Sequence, residues 1–164
     1  MHRLIAFPVV LLAALTMSSP TTAKVDRMEF SGADYVTGPP VDEGRQWVSD
    51  DGQLHIRGLT IEYDSVSDSP YYNGTSTIVI NINQDLATGL GNMWGTAHVV
   101  LDEFDGGFTG NWTAQFTGDD DPTWTGIGRS HGYGEVDGFQ QRYTLTQAAF
   151  GDTLDGFTFS PGNK

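Results

Sequence analysis

The sequence predicts an all-β fold, either a single antiparallel β-barrel of about eight strands or a β-sandwich. Residues 108–118 alternate without a break between two sets of side chains, as a strand with one buried and one wet face does. Gly, Thr, Asp and aromatic residues stand where a helical protein would have Ala, Leu, Glu and Lys. Turn signals recur at short, fairly even spacing along the whole chain.

These turn signals divide the chain into segments of strand length. In chain order they are Gly38-Pro39-Pro40, Asp51-Gly52, Asn73-Gly74, Gly89-Leu90-Gly91, Gly106-Gly107, residues 119–122 and Asp137-Gly138. We predict strands near residues 25–31, 45–49, 53–64, 75–83, 92–102, 108–118, 123–134 and 138–149, and a short strand near 154–159. Residues 32–43 are predicted to form a loop that covers one end of the barrel.

The third predicted strand changes phase part-way along. Leu54 and Ile56 occupy one parity, whereas Leu59 and Ile61 occupy the other, and Gly58 stands between the two pairs. A shift of phase within a strand needs an extra residue. We therefore predict a β-bulge at Gly58.

Glycine occupies one face of the seventh predicted strand. Its even positions include Gly126, Gly128, Gly132 and Gly134. Glycine weakens an ordinary strand, because it has no side chain to pack and loses more conformational entropy on folding. We predict either that large side chains such as Trp112 and Phe116 lie over this face, or that the strand coils strongly to close a barrel.

The N-terminal residues have the features of a signal peptide. A short basic start precedes an apolar run at residues 4–15, and small residues follow up to Ala23. The run is too short to span a bilayer comfortably. We predict a signal peptide at 1–23, a β-barrel domain at 24–164, and a secreted or periplasmic location.

Composition excludes several classes of function. The net charge of −13 disfavours binding to nucleic acid and to anionic membranes. The absence of cysteine excludes disulfides, thiolate metal sites and thiol nucleophiles. We predict no cofactor, no nucleic-acid partner and no membrane partner after signal cleavage, and the sequence leaves the oligomeric state open.

Three glycine and aromatic motifs resemble a known family. They are Trp112-Thr-Ala, Trp124-Thr-Gly-Ile-Gly128 and His131-Gly-Tyr-Gly-Glu-Val-Asp-Gly138. Over about residues 45–148 the chain resembles small secreted bacterial proteins of the allene oxide cyclase barrel type, an architecture shared with plant dirigent proteins. The resemblance implies an antiparallel barrel with a hydrophobic lumen.

The predicted core comprises Ile78, Ile80, Ile82, Trp112, Phe116, Trp124, Phe139, Tyr143 and Leu145.

Our leading functional hypothesis is a non-enzymatic barrel that holds a small apolar or aromatic molecule in its lumen. It is motivated by a strand with an aromatic face beside a strand with a glycine face. The candidate ligand-binding residues are Trp94, Trp112, Phe116, Trp124 and Tyr143.

A second hypothesis is an isomerase or cyclase that acts on a lipid-like or phenolic intermediate, by analogy with the plant relatives. Its candidate catalytic residues are Glu62, Arg129, His131 and Tyr133, which would have to face inward. The alternative is that these side chains cover the solvent faces of two strands, because buried arginines demand paired partners.

A third hypothesis is a surface module that binds calcium or carbohydrate. Asn81, Asn83 and Asp85 alternate like the oxygen ligands of a calcium loop, although the glycine and glutamate positions of such a loop do not match. The acidic residues at 102–105 and 119–121 are further candidates. Solvated hairpin turns are the alternative for all of them, and no metal site is predicted.

Overall fold

A computed structural model describes residues 25–118, 123–148 and 151–162. The described residues form strands and no helix, which confirms the all-β class. Among the described residues there is no helix that could span a membrane. The predicted signal peptide at 1–23 lies outside the described residues. The strands are β1 (Asp26–Val36), β2 (Arg45–Val48), β3 (Gln53–Ser67), β4 (Gly74–Asp85), β5 (Leu90–Leu101), β6 (Gly106–Thr117), β7 (Trp124–Gly134), β8 (Gln140–Ala148) and β9 (Gly151–Ser160).

The strands close into a barrel rather than a sandwich. They are hydrogen-bonded in the order β1-β9-β8-β7-β6-β5-β4-β3, and a further pairing of β1 with β3 closes the ring. All of these pairings are antiparallel. The short strand β2 pairs with β3 alone and lies outside the ring. Closure satisfies the backbone groups that an open sheet would leave at its edges.

The predicted bulge in β3 is confirmed. Ile56 pairs with Ile82 and Leu59 pairs with Ile80, so two residues of β3 oppose one of β4 between them. Gly58 has φ +73°, a conformation that side-chain-bearing residues rarely adopt. The bulge also divides β3 by pairing partner. The residues before the bulge pair with β2, and residues after the bulge pair with β1.

The predicted loop at 32–43 is wrong for its first residues. β1 continues to Val36 and pairs on both sides, with β9 along most of its length and with β3 from Gly32 to Val36. Two long-range ladders hold this segment extended, although its composition favours a loop. The extension places Asp34 inside a strand with a lumenal face.

The predicted core residues all lie in or against the apolar interior. The lumen cluster comprises Phe30, Tyr72, Met93, Ala97, Trp112, Ala114, Tyr143, Leu145 and Leu154, with Ile78, Ile80, Ile82, Phe116 and Trp124 packed against it. The end cluster comprises Val99, Leu101, Phe108 and Val136, with Tyr71, Phe104 and Phe139 packed against it. The end cluster fills the barrel end where β3 joins β4, β5 joins β6 and β7 joins β8.

A large side chain lies over the glycine face of β7, which confirms the first of the two alternatives predicted for this strand. A β-carbon added to Gly128 would lie 2.2 Å from Cε2 of Tyr143. The ring that needs this space belongs to Tyr143 on β8, directly opposite Gly128, and not to Trp112 or Phe116. Glycine at this position therefore makes room for an aromatic ring in the lumen.

Candidate functional site

The lumen contains a cavity of about 350 Å³. It lies beyond the end cluster, toward the barrel end where β4 joins β5 and β6 joins β7. Its wall is predominantly apolar. The aromatic lining residues are Tyr63, Tyr72, Trp112, Trp124 and Tyr143, and the main aliphatic ones are Leu59, Ile78, Ile80, Ile82, Met93 and Leu145.

Two carboxyl groups interrupt this apolar wall. Asp34 on β1 and Asp152 on β9 line the cavity and are directly paired across the two strands. Side chains in such a pair have β-carbons about 4.5–5.5 Å apart. Among the described residues that line the cavity, none is Lys, Arg or His. The two acids therefore face each other in apolar surroundings without a neighbouring cation from the described wall.

Neutral donors hold Asp34 in place. Its side chain is buried, with 4 % of the residue exposed. The Ser65 hydroxyl donates to Oδ1 at 2.6 Å, and the Tyr72 hydroxyl donates to Oδ2 at 3.0 Å. Ser65 is in turn hydrogen-bonded to the hydroxyl of Ser76 at 2.5 Å. These hydroxyls fix the carboxyl orientation but contribute no positive charge.

Both carboxyl groups have raised pKa values. Burial raises the pKa of Asp34 to about 6, although the hydrogen bonds from Ser65 and Tyr72 oppose this shift. Burial and, to a smaller extent, the charge of Asp34 together raise the pKa of Asp152 to about 7. Two interacting acids release their protons in successive steps that belong to the pair. We therefore expect the pair to hold a proton near neutral pH.

Three tyrosines surround the pair as neutral phenols. Burial, followed by the charge of nearby carboxyl groups, raises the pKa of Tyr63, Tyr72 and Tyr143. The Tyr72 ring stacks on Phe30 at 5.1 Å between centroids and meets the edge of Tyr143 at 6.4 Å. The carboxyl pair thus lies beside a group of aromatic rings fixed by packing.

Comparisons with known proteins found no matching family model, no matching curated protein and no matching solved structure.

The structure separates the five candidate ligand-binding residues. Trp112, Trp124 and Tyr143 line the cavity, and Phe116 packs against the lumen cluster. Trp94 lies on the outer face, where the Arg57 guanidinium is 4.9 Å from its ring centroid. Alternation explains this difference, because the neighbour of Trp94, Met93, faces the lumen. The indole N–H of Trp112 is buried and has no hydrogen-bond partner among the described residues.

The four candidate catalytic residues do not meet inside the lumen. Glu62, Arg129 and His131 are exposed on the outer face. Tyr133 is half-buried, and its hydroxyl donates to the carbonyl of Val99 at 3.2 Å. On both strands the inward face is formed by the alternate residues. These include the buried Tyr63 on β3 and the glycine face on β7. The isomerase hypothesis required Glu62, Arg129 or His131 to face inward, and all three are exposed.

The candidate calcium ligands already hydrogen-bond to the protein. Oδ1 of Asn83 accepts from Arg57 at 2.6 Å and from His55 Nδ1 at 2.8 Å. Oδ1 of Asn81 accepts from the backbone of β3, and Asp85 accepts two N–H groups of the following turn. A guanidinium at Asn83 also disfavours a cation there. The described residues contain no group of three or more His, Cys, Asp or Glu that could hold a metal. The acidic tip at 119–122 lies outside the described residues.

Asp34 and Asp152 were not among the predicted site residues. Asp34 fell within the predicted loop, and Asp152 preceded the predicted start of the last strand. Both acids continue the alternation of inward-facing and outward-facing side chains in their strands. Phe30 and Asp34 share one parity on β1, and Asp152 and Leu154 share one parity on β9. Extending both patterns would have placed the two acids on the lumenal face.

Proposed function

We propose that this protein binds a small apolar or aromatic molecule in the lumen of its barrel. The supporting observation is an apolar cavity of about 350 Å³ inside a closed ring of strands. Small-molecule sites are typically concave, mostly apolar and about 300–1,000 Å³ in volume. An empty apolar space forfeits dispersion contacts, so a ligand that fills it is favoured.

The resemblance to allene oxide cyclase barrels also favours a lumenal ligand. The signal-peptide features of residues 1–23 favour an exported protein. We therefore propose that binding takes place outside the cytoplasm, on a molecule encountered in the periplasm or in the surrounding medium.

Filling part of the cavity with a larger side chain should weaken binding. Ala97 lines the cavity and is 6 % exposed, so the larger side chain of Ala97→Leu would project into the space that a ligand needs. We expect the affinity for phenylpropanol, a small aromatic alcohol, to fall by at least about tenfold in this variant. Isothermal titration calorimetry measures the affinity, and emission from the lining Trp112 and Trp124 provides a second readout.

Thr96→Leu is the matched control, because Thr96 precedes Ala97 on β5 and is exposed on the outer face. It should bind phenylpropanol like the unmodified protein. Thermal unfolding of both variants confirms that each is folded. Equal affinities for the two variants would contradict lumenal binding, as would no binding by the unmodified protein of phenylpropanol and a panel of similar aromatic probes.

A further inference from the structure

We propose that the lumenal molecule is a protonated amine, whose ammonium group lies between Asp34 and Asp152 and whose apolar body fills the cavity. This inference rests on the proposed lumenal binding and specifies the chemical class of ligand.

The charge arrangement of the cavity is the first argument. Two acids directly opposite each other on antiparallel strands repel, and such pairs destabilise a sheet. Burial strengthens this repulsion, because the surroundings screen charge less than water does. The described lining supplies no cation to offset it. An ammonium group would supply the missing charge at the point where both carboxyl groups meet the cavity.

The unequal hydrogen bonding of the two acids is the second argument. Asp34 accepts from Ser65 and Tyr72. No donor among the described residues hydrogen-bonds the side chain of Asp152. An ammonium group has three N–H donors, so it can bond to Asp152 and to Asp34 at the same time. Hydrogen bonds between charged partners are roughly twice as strong as neutral ones.

The aromatic wall is the third argument. The rings of Tyr63, Tyr72 and Tyr143 line the cavity that both acids line. Cations are attracted to the faces of tyrosine and tryptophan rings within about 6 Å of the centroid. The raised pKa values keep these phenols neutral, so they offer ring faces and hydroxyls without adding negative charge.

The remaining wall determines what the amine is attached to. Ile78, Ile80 and Ile82 present an aliphatic surface along β4, and Trp112 and Trp124 line the same cavity from β6 and β7. This surface suits a short hydrocarbon or a single aromatic ring. The site therefore fits an arylalkylamine or alkylamine of limited length, and a highly polar amine such as an amino sugar would leave its hydroxyls unpaired.

Amine binding should release a proton from the protein. The titratable groups around the ammonium position are Asp34, Asp152, Tyr63, Tyr72 and Tyr143, and only the two acids titrate near neutral pH. A bound cation favours the ionised form of both acids. The amine affinity should therefore rise with pH from about 5 to about 8, while the amine itself stays protonated.

The test compares phenylpropylamine with phenylpropanol, which differ in an ammonium and a hydroxyl group. Calorimetry at about pH 8 should give the amine at least about tenfold higher affinity. Asp152→Asn should remove this preference, so that the amine and the alcohol bind with similar affinity in this variant. Asp64→Asn is the matched control: Asp64 is exposed on the outer face, and its loss changes the net charge equally. Asp64→Asn should keep the preference.

The possible outcomes separate the two proposals. Equal affinities of the unmodified protein for the two probes would overturn the amine inference and leave lumenal binding intact. An amine preference that Asp152→Asn and Asp64→Asn reduce equally would also overturn it, because general attraction to an acidic protein would then explain the result. If the unmodified protein binds neither these two probes nor the panel of aromatic probes, both proposals are overturned.

Discussion

Replacing Asp34 with asparagine is expected to raise the free energy of unfolding by about 2 kcal/mol at about pH 8, and to change it little at about pH 4. Burial raises the pKa of Asp34 from 3.8 to about 6, so the folded protein binds this proton more tightly than the unfolded chain does. Between those two values folding takes up protons, and stability falls as pH rises. At a pH above both pKa values, the folded protein bears the full cost of burying the ionised carboxyl group.

The size of the expected effect follows from the pKa difference. A shift from 3.8 to about 6 corresponds to about 3 kcal/mol. Asparagine keeps an oxygen that can accept from Ser65 and Tyr72, but its amide must also fit beside Asp152, and we therefore expect somewhat less. The raised pKa of Asp152 has the same sign, so the unmodified protein should lose stability from about pH 4 to about pH 8.

Urea unfolding of the unmodified protein, Asp34→Asn and Asp64→Asn at the two pH values measures this effect. Asp64→Asn reports the part that comes from net charge alone. A gain by Asp34→Asn that does not exceed the gain by Asp64→Asn, or that is the same at both pH values, would show that Asp34 is not a buried charge.

Truncating Phe108 to alanine is expected to lower the free energy of unfolding by about 3–5 kcal/mol. Phe108 is 0 % exposed and packs in the end cluster with Val99, Leu101 and Val136. Strands on either side pair rigidly, so the wall cannot collapse into the space that the ring leaves. The loss therefore combines the lost burial of the ring with the cost of an unfilled cavity.

Phe157→Ala on the outer face of β9 is the control for Phe108→Ala. Phe157 is half-buried, and the Arg27 guanidinium covers its ring at 3.4 Å. Its truncation should cost about 1 kcal/mol. Chemical unfolding measures both variants. A similar cost for the two would mean that the end cluster is not the tightly packed closure of the barrel.

The alternation of side chains determined most of what could be predicted. Strand existence and the inward face of β6 and β8 follow from a period of two, and Trp112 and Tyr143 are buried as expected. The bulge at Gly58 was predictable for the same reason, since a phase shift within a strand is a local property. Neither prediction required knowledge of which strands pair.

The carboxyl pair depended on pairing between distant parts of the chain. Asp34 lies in a strand because residues 32–36 pair with residues 63–67 and with β9. Local composition at 32–43 favours a loop, and only these ladders override it. The direction of β7 posed a related problem. Its glycine parity faces inward because Tyr143 fills that space, which turns Arg129 and His131 outward.

The bulge in β3 has a further consequence for the barrel as a container. Because β3 pairs with β2 before the bulge, the described ladder between β1 and β3 has only the pairs from Gly32↔Ser67 to Val36↔Tyr63, while β1 and β9 pair from Asp26 to Tyr35. The β1–β3 ladder is therefore the shorter of the two ladders that hold β1, and Asp34 and Tyr63 both lie in it. Fewer backbone bonds must break to part the wall there than between β1 and β9. Asp34 and Asp152 lie on β1 and β9, so a ligand that bridges them would strengthen the longer ladder and leave the β1–β3 ladder as the place where the wall opens most easily.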